Sequence, residues 1–367
     1  MKIFLKLGIL VVMSLSAYSS EEPLFATDLY KAIGENGNMV FSPYSIQACL
    51  GLAYMGAGGQ TASEMAKGLR FGSMTKDQVA DSFSKVLKDS QSSNMLKIAN
   101  KIYVNKGSQI NFAKSIESEK VINDWVEKET NGKIKDLLSP GTIDQQTKAI
   151  LVNAIYFKGH WESPFPPKST RKLDFYSSSS KAVQADFMYD DDRFLYGSLD
   201  DLDATAVELK YKDSPYSMVF VLPNEKDGLP KLVKKIGNNY DLLSVSKKLS
   251  KQKIYIYLPK FEVEYDIELK PALSKLGMPS MFSRKADFNS MFKDSESIYI
   301  SKAFHKAMIR VDEDGTEAAA ATCKGTNLKA YPMSMFLGQK TFKADHPFLW
   351  YIKDESNIYF MGQVTTF

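Results

Sequence analysis

The chain has 367 residues, of which 44% are hydrophobic, 25% charged and 12% aromatic. This composition excludes a disordered or collagen-like chain and supplies apolar material for a large core. Net charge is +4, from 47 basic and 43 acidic residues, too slight a bias for a nucleic-acid binder with a concentrated basic face. Two cysteines exclude a disulfide scaffold, and His160, His305 and His346 are the only histidines, so neither a metal nor a cofactor is expected.

At the start, Lys2 and Lys6 accompany an apolar run from Leu7 to Met13, and Ser14, Ser16, Ala17 and Ser19 follow. This is the pattern of a secretory signal peptide, with a small-x-small cleavage site at Ala17-Tyr18-Ser19. Residues 1–19 are therefore expected to be removed and the mature protein to be extracellular. The run is too short to span a bilayer, and no later segment is apolar enough, so no membrane contact is expected. No Asn-x-Ser/Thr sequon occurs.

Hydrophobic patterning describes a mixed α/β chain without repeats. Residues 41–69 carry a helical pattern broken by Gly56, Gly58 and Gly59. Residues 75–90 carry another through Val79, Phe83 and Leu87, and residues 95–104 turn strand-like. Residues 116–138 read as an amphipathic helix, with Ile116, Val121, Ile122, Trp125 and Val126 on or near one face. The stretch 148–158 is apolar almost throughout, the pattern of a strand covered on both faces. Strand patterns then dominate, at 206–209, 218–222, 253–258, 261–265, 299–301, 307–311 and 359–364, with helices at 227–236 and 269–276. No linker interrupts the chain, so residues 20–367 are expected to form a single domain.

Residues 312–346 stand apart. They hold few large aliphatics, Gly315, Gly325 and Gly338, and four consecutive alanines. A connection this long inside a compact domain is usually functional. It reads as a loop with some helical character, since alanine is the best helix former.

Other motifs carry less. Gly56-Ala57-Gly58-Gly59 resembles a phosphate-cradling loop, but no Lys-Ser/Thr follows and a helical pattern precedes it. A turn or a close helix contact accounts for it better. Neither G-x-S-x-G nor H-E-x-x-H occurs, so a hydrolase would need a triad that no local pattern announces. Lysines at 231, 234 and 235 and at 247, 248, 251 and 253 form patches that suit a glycosaminoglycan, although a solvated face explains them as simply. Cys49 lies in an apolar helical pattern and reads as core. Cys323 lies in the loop, free to link to another molecule.

Several segments together resemble the serpins. They are Phe41-Ser42-Pro43-Tyr44-Ser45-Ile46, the stretch from Asn153 through Gly159 and His160 to Trp161, Ile300-Ser301-Lys302-Ala303-Phe304-His305-Lys306-Ala307, and Asp345-His346-Pro347-Phe348-Leu349. Glu313-Asp314-Gly315-Thr316-Glu317, followed by Ala318, Ala319, Ala320, Ala321 and Thr322, completes the set. The segments occur in family order at nearly family spacing, most like secreted insect members. The resemblance implies an α+β serpin fold of three β-sheets, about eight helices and an exposed reactive-centre loop. It also implies a monomer that is no enzyme but a bait. A target serine protease cleaves the loop, is held as a covalent acyl-enzyme, and is trapped when the loop inserts as a strand into the large sheet.

The loop residues suit that task by themselves. A strand alternates its side chains, so Thr316, Ala318, Ala320 and Thr322 share one face, and Glu317, Ala319 and Ala321 share the other. The first set is small and uncharged, and no proline lies between residues 315 and 331. Family spacing from Glu313 implies cleavage at Lys329-Ala330, which suits a trypsin-like pocket. Pro347 follows Lys329 by eighteen residues, a few more than the family norm, so Met333-Ser334 competes as an elastase- or chymotrypsin-type bond, with Lys324 a third candidate. By the same resemblance, Ser42, Ser45, Asn153 and His305 form a polar cluster beneath the opening sheet, and Trp161 stands where the loop enters; ordinary satisfied core residues are the alternative.

One departure is large. Asn105 to Phe112 runs almost directly into the helix around Trp125, where the family has a further helix and the edge strand of the large sheet. Roughly two dozen residues are missing against that layout, and an exposed strand edge follows. A non-inhibitory binding or carrier protein, or an inhibition-defective splice form, is the alternative function.

Overall fold

The structure, a computed structural model, describes residues 22–34, 37–105, 110–237, 239–290, 298–316 and 340–367. Several sequence expectations lie outside those residues: the leader 1–19, Glu317, Ala318, Ala319, Ala320, Ala321, Thr322, Cys323, Lys324, and both reactive bonds, Lys329-Ala330 and Met333-Ser334.

The chain opens with α1 (Glu22–Ile33), β1 (Met39–Phe41), α2 (Pro43–Gly56), α3 (Gly59–Gly68) and α4 (Lys76–Ser92). Ser42 starts α2 as an extended N-cap whose side chain accepts from Ser45 N, with Pro43 at the first helical position. The glycine run is the turn between α2 and α3, and a Cβ on Gly58 would overlap the Asp287 carboxylate. Close packing, not phosphate binding, is what these glycines serve. Next come β2 (Leu96–Val104), α5 (Ser115–Glu129), β3 (Ala149–Phe157) and β4 (Gly159–His160). The helical pattern continues to residue 138 in the sequence, but α5 stops at Glu129. Asn131 (φ 53°) and Gly132 (φ 74°) take left-handed conformations that end it. Ile134 and Leu137 are buried at helix-like spacing without being helical.

Then follow β5 (Arg171–Ser178), β6 (Lys181–Leu199), β7 (Ala204–Lys210), β8 (Ser217–Pro223), α6 (Leu229–Ile236), β9 (Ser250–Pro259), β10 (Phe261–Glu268) and α7 (Lys270–Lys275). The chain closes with β11 (Ile300–Asp312), β12 (Gly315–Thr316), β13 (Thr341–Lys343), β14 (Phe348–Lys353) and β15 (Ile358–Val364). The two strands expected at 299–301 and 307–311 are one. Lys302, His305 and Lys306 hid the continuity, and Lys306 is satisfied by Glu264 (2.6 Å) and Lys135 O (2.9 Å).

Among the described residues the strands join into two hydrogen-bonded networks. One runs β1-β15-β14-β8-β7-β6-β9-β13, with β5 on β6; the other runs β2-β3-β11-β12-β4, with β10 on β11. Three sheets were expected. The second and third are continuous here because β6 is 19 residues long, pairing β5 over its first part, β9 over its middle and β7 over its last. β3 is buried throughout. Its Ala149, Leu151, Ile155 and Phe157 enter the main core, and Ile150, Val152 and Ala154 enter a second cluster with Ile122 and Val126 of α5. Both faces are covered, as the unbroken apolar run implied.

Gly362 on β15 lies between Val40 and Trp350 in the central sheet, and a Cβ there would overlap Met39 O and the Trp350 ring. Gly362→Ala is expected to lower stability by about 1–3 kcal/mol through overpacking, read from urea unfolding.

Candidate functional site

β3 and β11 are neighbours and parallel, in register from Ala149 opposite Ile300 to Tyr156 opposite Met308. At the head of this seam the ladder is interrupted. β12 stands between β11 and β4, antiparallel to both. Thr316 pairs with Val311 on one side and Gly159 on the other; Gly315 pairs with Asp312 and His160. The strand that begins the loop thus already occupies the gap at the top of the seam. Gly315 has φ 153°, and a Cβ on it would overlap Gly159 O, so only glycine fits there.

The head of the seam is tightly anchored. Trp161 is buried, donates Nε1–H to Asp312 O (3.0 Å) and its amide to Asp314 O (2.9 Å), and stacks on Tyr211 at 4.7 Å. The Tyr211 hydroxyl shares a 2.6 Å hydrogen bond with Thr316 Oγ1. Glu313, just before β12, is held by Lys260 (2.8 Å) and the Thr170 hydroxyl (2.6 Å). Burial alone would raise its carboxyl pKa, but these donors outweigh burial and hold it below the ordinary value. Residues 312–316 are therefore firmly anchored.

Lower in the seam lies a closed polar network. His305 on β11 is opposite Asn153 on β3. Ser42 N donates to His305 Nε2 (3.1 Å), which requires a lone pair on that nitrogen. The proton is therefore on Nδ1 and is donated to Asn153 Oδ1. Asn153 Nδ2 donates to Ser45 Oγ (2.5 Å) and to Asn100 Oδ1 on β2. Ser42, Ser45, Asn153 and His305 are all fully buried. Burial pushes the His305 pKa down to about 3, so the ring is neutral at physiological pH. The network ties β2, β3 and β11 to the first turn of α2 beneath them.

The structure brings Ser42, Ser45, Asn153 and His305 together in one network. Trp161 lies apart from them, at the head of the seam beside Tyr211 and Thr316. Asn100 was missed, although it is a polar residue in the middle of an apolar strand, and that was its signal. Tyr211, Thr170 and Lys260 were missed as well, and nothing local marks them. His305 faces an asparagine and a backbone amide rather than a serine and a carboxylate, so it is not placed as the base of a hydrolase triad. Cys49 is buried in the core. Among the described residues, no group of three or more His, Cys, Asp or Glu side chains is placed to hold a metal, and no helix is long and apolar enough to cross a membrane. Lys231 is paired with Glu225 and Lys248 with Asp201, so two members of the lysine patches are already engaged.

Protonating His305 would remove the acceptor for Ser42 N. Its folded pKa of about 3 lies below the unfolded value of 6.5, so the unfolded chain binds the proton first as pH falls. The stability due to neutral His305 is whole above pH 6.5 and declines from there toward pH 3. We expect a loss of about 2 kcal/mol between pH 6.5 and pH 5 in urea unfolding, with that part of the decline absent in His305→Gln.

The serpin (serine protease inhibitor) family model matches residues 22–111 and 106–367. Serine protease inhibitor 42Dd of Drosophila melanogaster is 38% identical over 354 residues, covering 90% of this chain and 92% of its own. The leukocyte elastase inhibitor of Bos taurus is 32% identical over 378 residues, covering 95% of this chain and 99% of its own. The crystal structure of Serpin48 from the insect Tenebrio molitor matches with a TM-score of 0.85 at 33% identity, over 97% of this chain and 99% of that one. The alignment of 378 positions exceeds the 367 residues of this chain, so relatives carry residues that it lacks. The two matched stretches of the family model meet at residues 106–111, where the missing helix and edge strand were expected. The chain belongs to the serpin family of serine protease inhibitors.

Proposed function

We propose that this serpin is an exported suicide inhibitor of a trypsin-like serine protease. The protease serine attacks the Lys329 carbonyl, the Lys329-Ala330 bond breaks, the Ala330 amine leaves, and Lys329 remains as an acyl ester on the enzyme. The freed segment then extends β12 down the seam and carries the protease with it. The observation that supports this most is the position of β12, already antiparallel to both flanking strands at the head of a parallel ladder. Parallel pairing is slightly weaker per residue than antiparallel pairing. Extending β12 exchanges one parallel ladder for two antiparallel ones, and that difference drives the insertion.

The register is self-consistent. Thr316 opposes both Gly159 and Val311, and continuing from there aligns residue 319 with Tyr156 and Met308, which already oppose each other. After cleavage, Ala318 would oppose Phe157 and Ile309, and Thr322 would oppose Asn153 and His305. A small hydroxyl side chain then replaces the bond between those two residues. Ala318, Ala320 and Thr322 share the core-facing side with the buried Thr316. The next residue on that side is Lys324, which would oppose the buried Leu151 and Ala303. An unpaired charge there costs several kcal/mol, so Lys324 slows the last part of insertion. Export rests on the leader pattern of residues 1–19, and any glycosaminoglycan contact would use the unengaged lysines of the two patches.

Incubation of the mature protein with trypsin is expected to yield a complex that survives SDS, and Lys329→Glu is expected to abolish it. Nicked protein without complex would indicate a carrier or an inhibition-defective form. A released fragment beginning at Ser334 rather than Ala330, found by mass spectrometry, would move the target to an elastase- or chymotrypsin-type enzyme. Lys324→Ala is expected to raise the fraction of protease trapped per cleaved loop. Cleavage should also raise the unfolding temperature; an unchanged temperature would count against insertion.

A further inference from the structure

A cavity of about 600 Å³ opens where the last turn of α1, the first turns of α6, the turn between β5 and β6 and the end of β15 meet. Its floor is apolar. Tyr30, Met39 and Leu229 are buried there, and Pro347 and the half-buried Val233 form walls. The polar side chains that reach the floor are engaged with the protein itself. The Tyr30 hydroxyl donates to Gln363 Oε1, and Gln363 Nε2 donates to Gly37 O (2.7 Å). Thr365 Oγ1 donates to Asn38 Oδ1 (3.2 Å). The rim is different. Lys31 and Lys181 are exposed and Lys226 is half-buried, and Asp227 is the one carboxylate beside them among the described lining residues. Asp227 Oδ1 already accepts from Ser179 N (2.9 Å). Among the described residues no carboxylate lies within ion-pair distance of Lys31, Lys181 or Lys226. Two of these lysines share one side of the opening. Lys181 pairs with Ser178 across the β5–β6 turn, and the Lys226 ammonium stands 3.0 Å from the centre of the Tyr176 ring on the same hairpin.

We propose that this cavity binds an amphipathic organic acid, a single carboxylate on an apolar body of fatty-acid type. The body lies on the Tyr30, Met39 and Leu229 floor, and the carboxylate meets Lys181 and Lys226 at the rim. Three features select this ligand. The volume falls within the range of small-molecule sites, which are concave and mostly apolar with a few polar groups that fix orientation. Three lysines against one engaged carboxylate leave a positive field at the opening, which is complementary to an anion. The floor has its polar groups engaged, so a peptide or a sugar would bury donors and acceptors that find no partner there. Only a molecule that is apolar at one end and acidic at the other satisfies both regions. None of the lining residues belongs to β3, β11 or β12, so occupation of the cavity leaves the seam untouched.

Isothermal titration of the intact protein with dodecanoate, below its micellar concentration, should show one saturable site. Dodecanol, the same chain without the charge, should bind on the order of tenfold more weakly, and added salt should weaken dodecanoate alone. Lys181→Glu combined with Lys226→Glu should reduce dodecanoate affinity on the order of tenfold or more and leave dodecanol unchanged. Val233→Trp fills the wall and should reduce binding of both. Both lysines stand at the rim, so their replacement tests the site even if the Val233 variant fails to fold. Absence of saturable binding, equal affinity for acid and alcohol, or acid binding that survives the lysine replacements overturns the proposal. No protease takes part in the titration, so its outcome is separate from that of the trapping experiment above.

Discussion

The molecule is organised around a single seam, the parallel ladder between β3 and β11. β3 is buried throughout and β11 over most of its length, so the seam is stabilised by packing on two sides as much as by its hydrogen bonds. Its weak point is its head, where the ladder gives way and β12 is lodged between β11 and β4. Much of what surrounds that point holds β12 in place. Trp161 and Tyr211 form a stacked floor, Glu313 is tied by Lys260 and Thr170, and Gly315 admits the close approach to Gly159.

The polar network lower in the seam closes it in a different way. A neutral His305 is both donor and acceptor, and it uses the two roles in opposite directions, toward Asn153 on the neighbouring strand and from Ser42 at the start of α2. Every member of the network depends on that tautomer. Because the groups are fully buried, none can be left unpaired without a desolvation cost. The network therefore makes the closed seam specific, so the strands part only if something else supplies partners. The same Ser42 that caps α2 supplies one of these bonds, which couples the start of the helix to the seam.

Much of this was legible in the sequence. The buried strand at 148–158 was recognisable because a strand covered on both faces loses its polar alternation. Ser42, Ser45, Asn153 and His305 could be named because the resemblance is carried by short, ordered segments around them. The helix at 115–129 was placed correctly at its start but extended too far, since Ile134 and Leu137 keep a helical spacing after Asn131 and Gly132 have turned the chain. β11 was split in two because a lysine and a histidine interrupt its apolar pattern, and burial of a histidine cannot be foreseen without its partners. β5, β6 and β14 were not anticipated. β6 passes from one set of partner strands to another and its burial pattern changes along its length, so no single period describes it.

By itself the sequence determined the family, the α+β class and the run of small residues after Thr316, because each of these is written in residue type and order. Only the tertiary structure decided that Tyr211 links Trp161 to Thr316, that Asn100 completes the network, and that β12 stands between its neighbours. These are matters of register and of contact between residues far apart in the chain. A change of one position in strand pairing turns every side chain and every backbone group to the opposite side, and no local pattern records which choice was made.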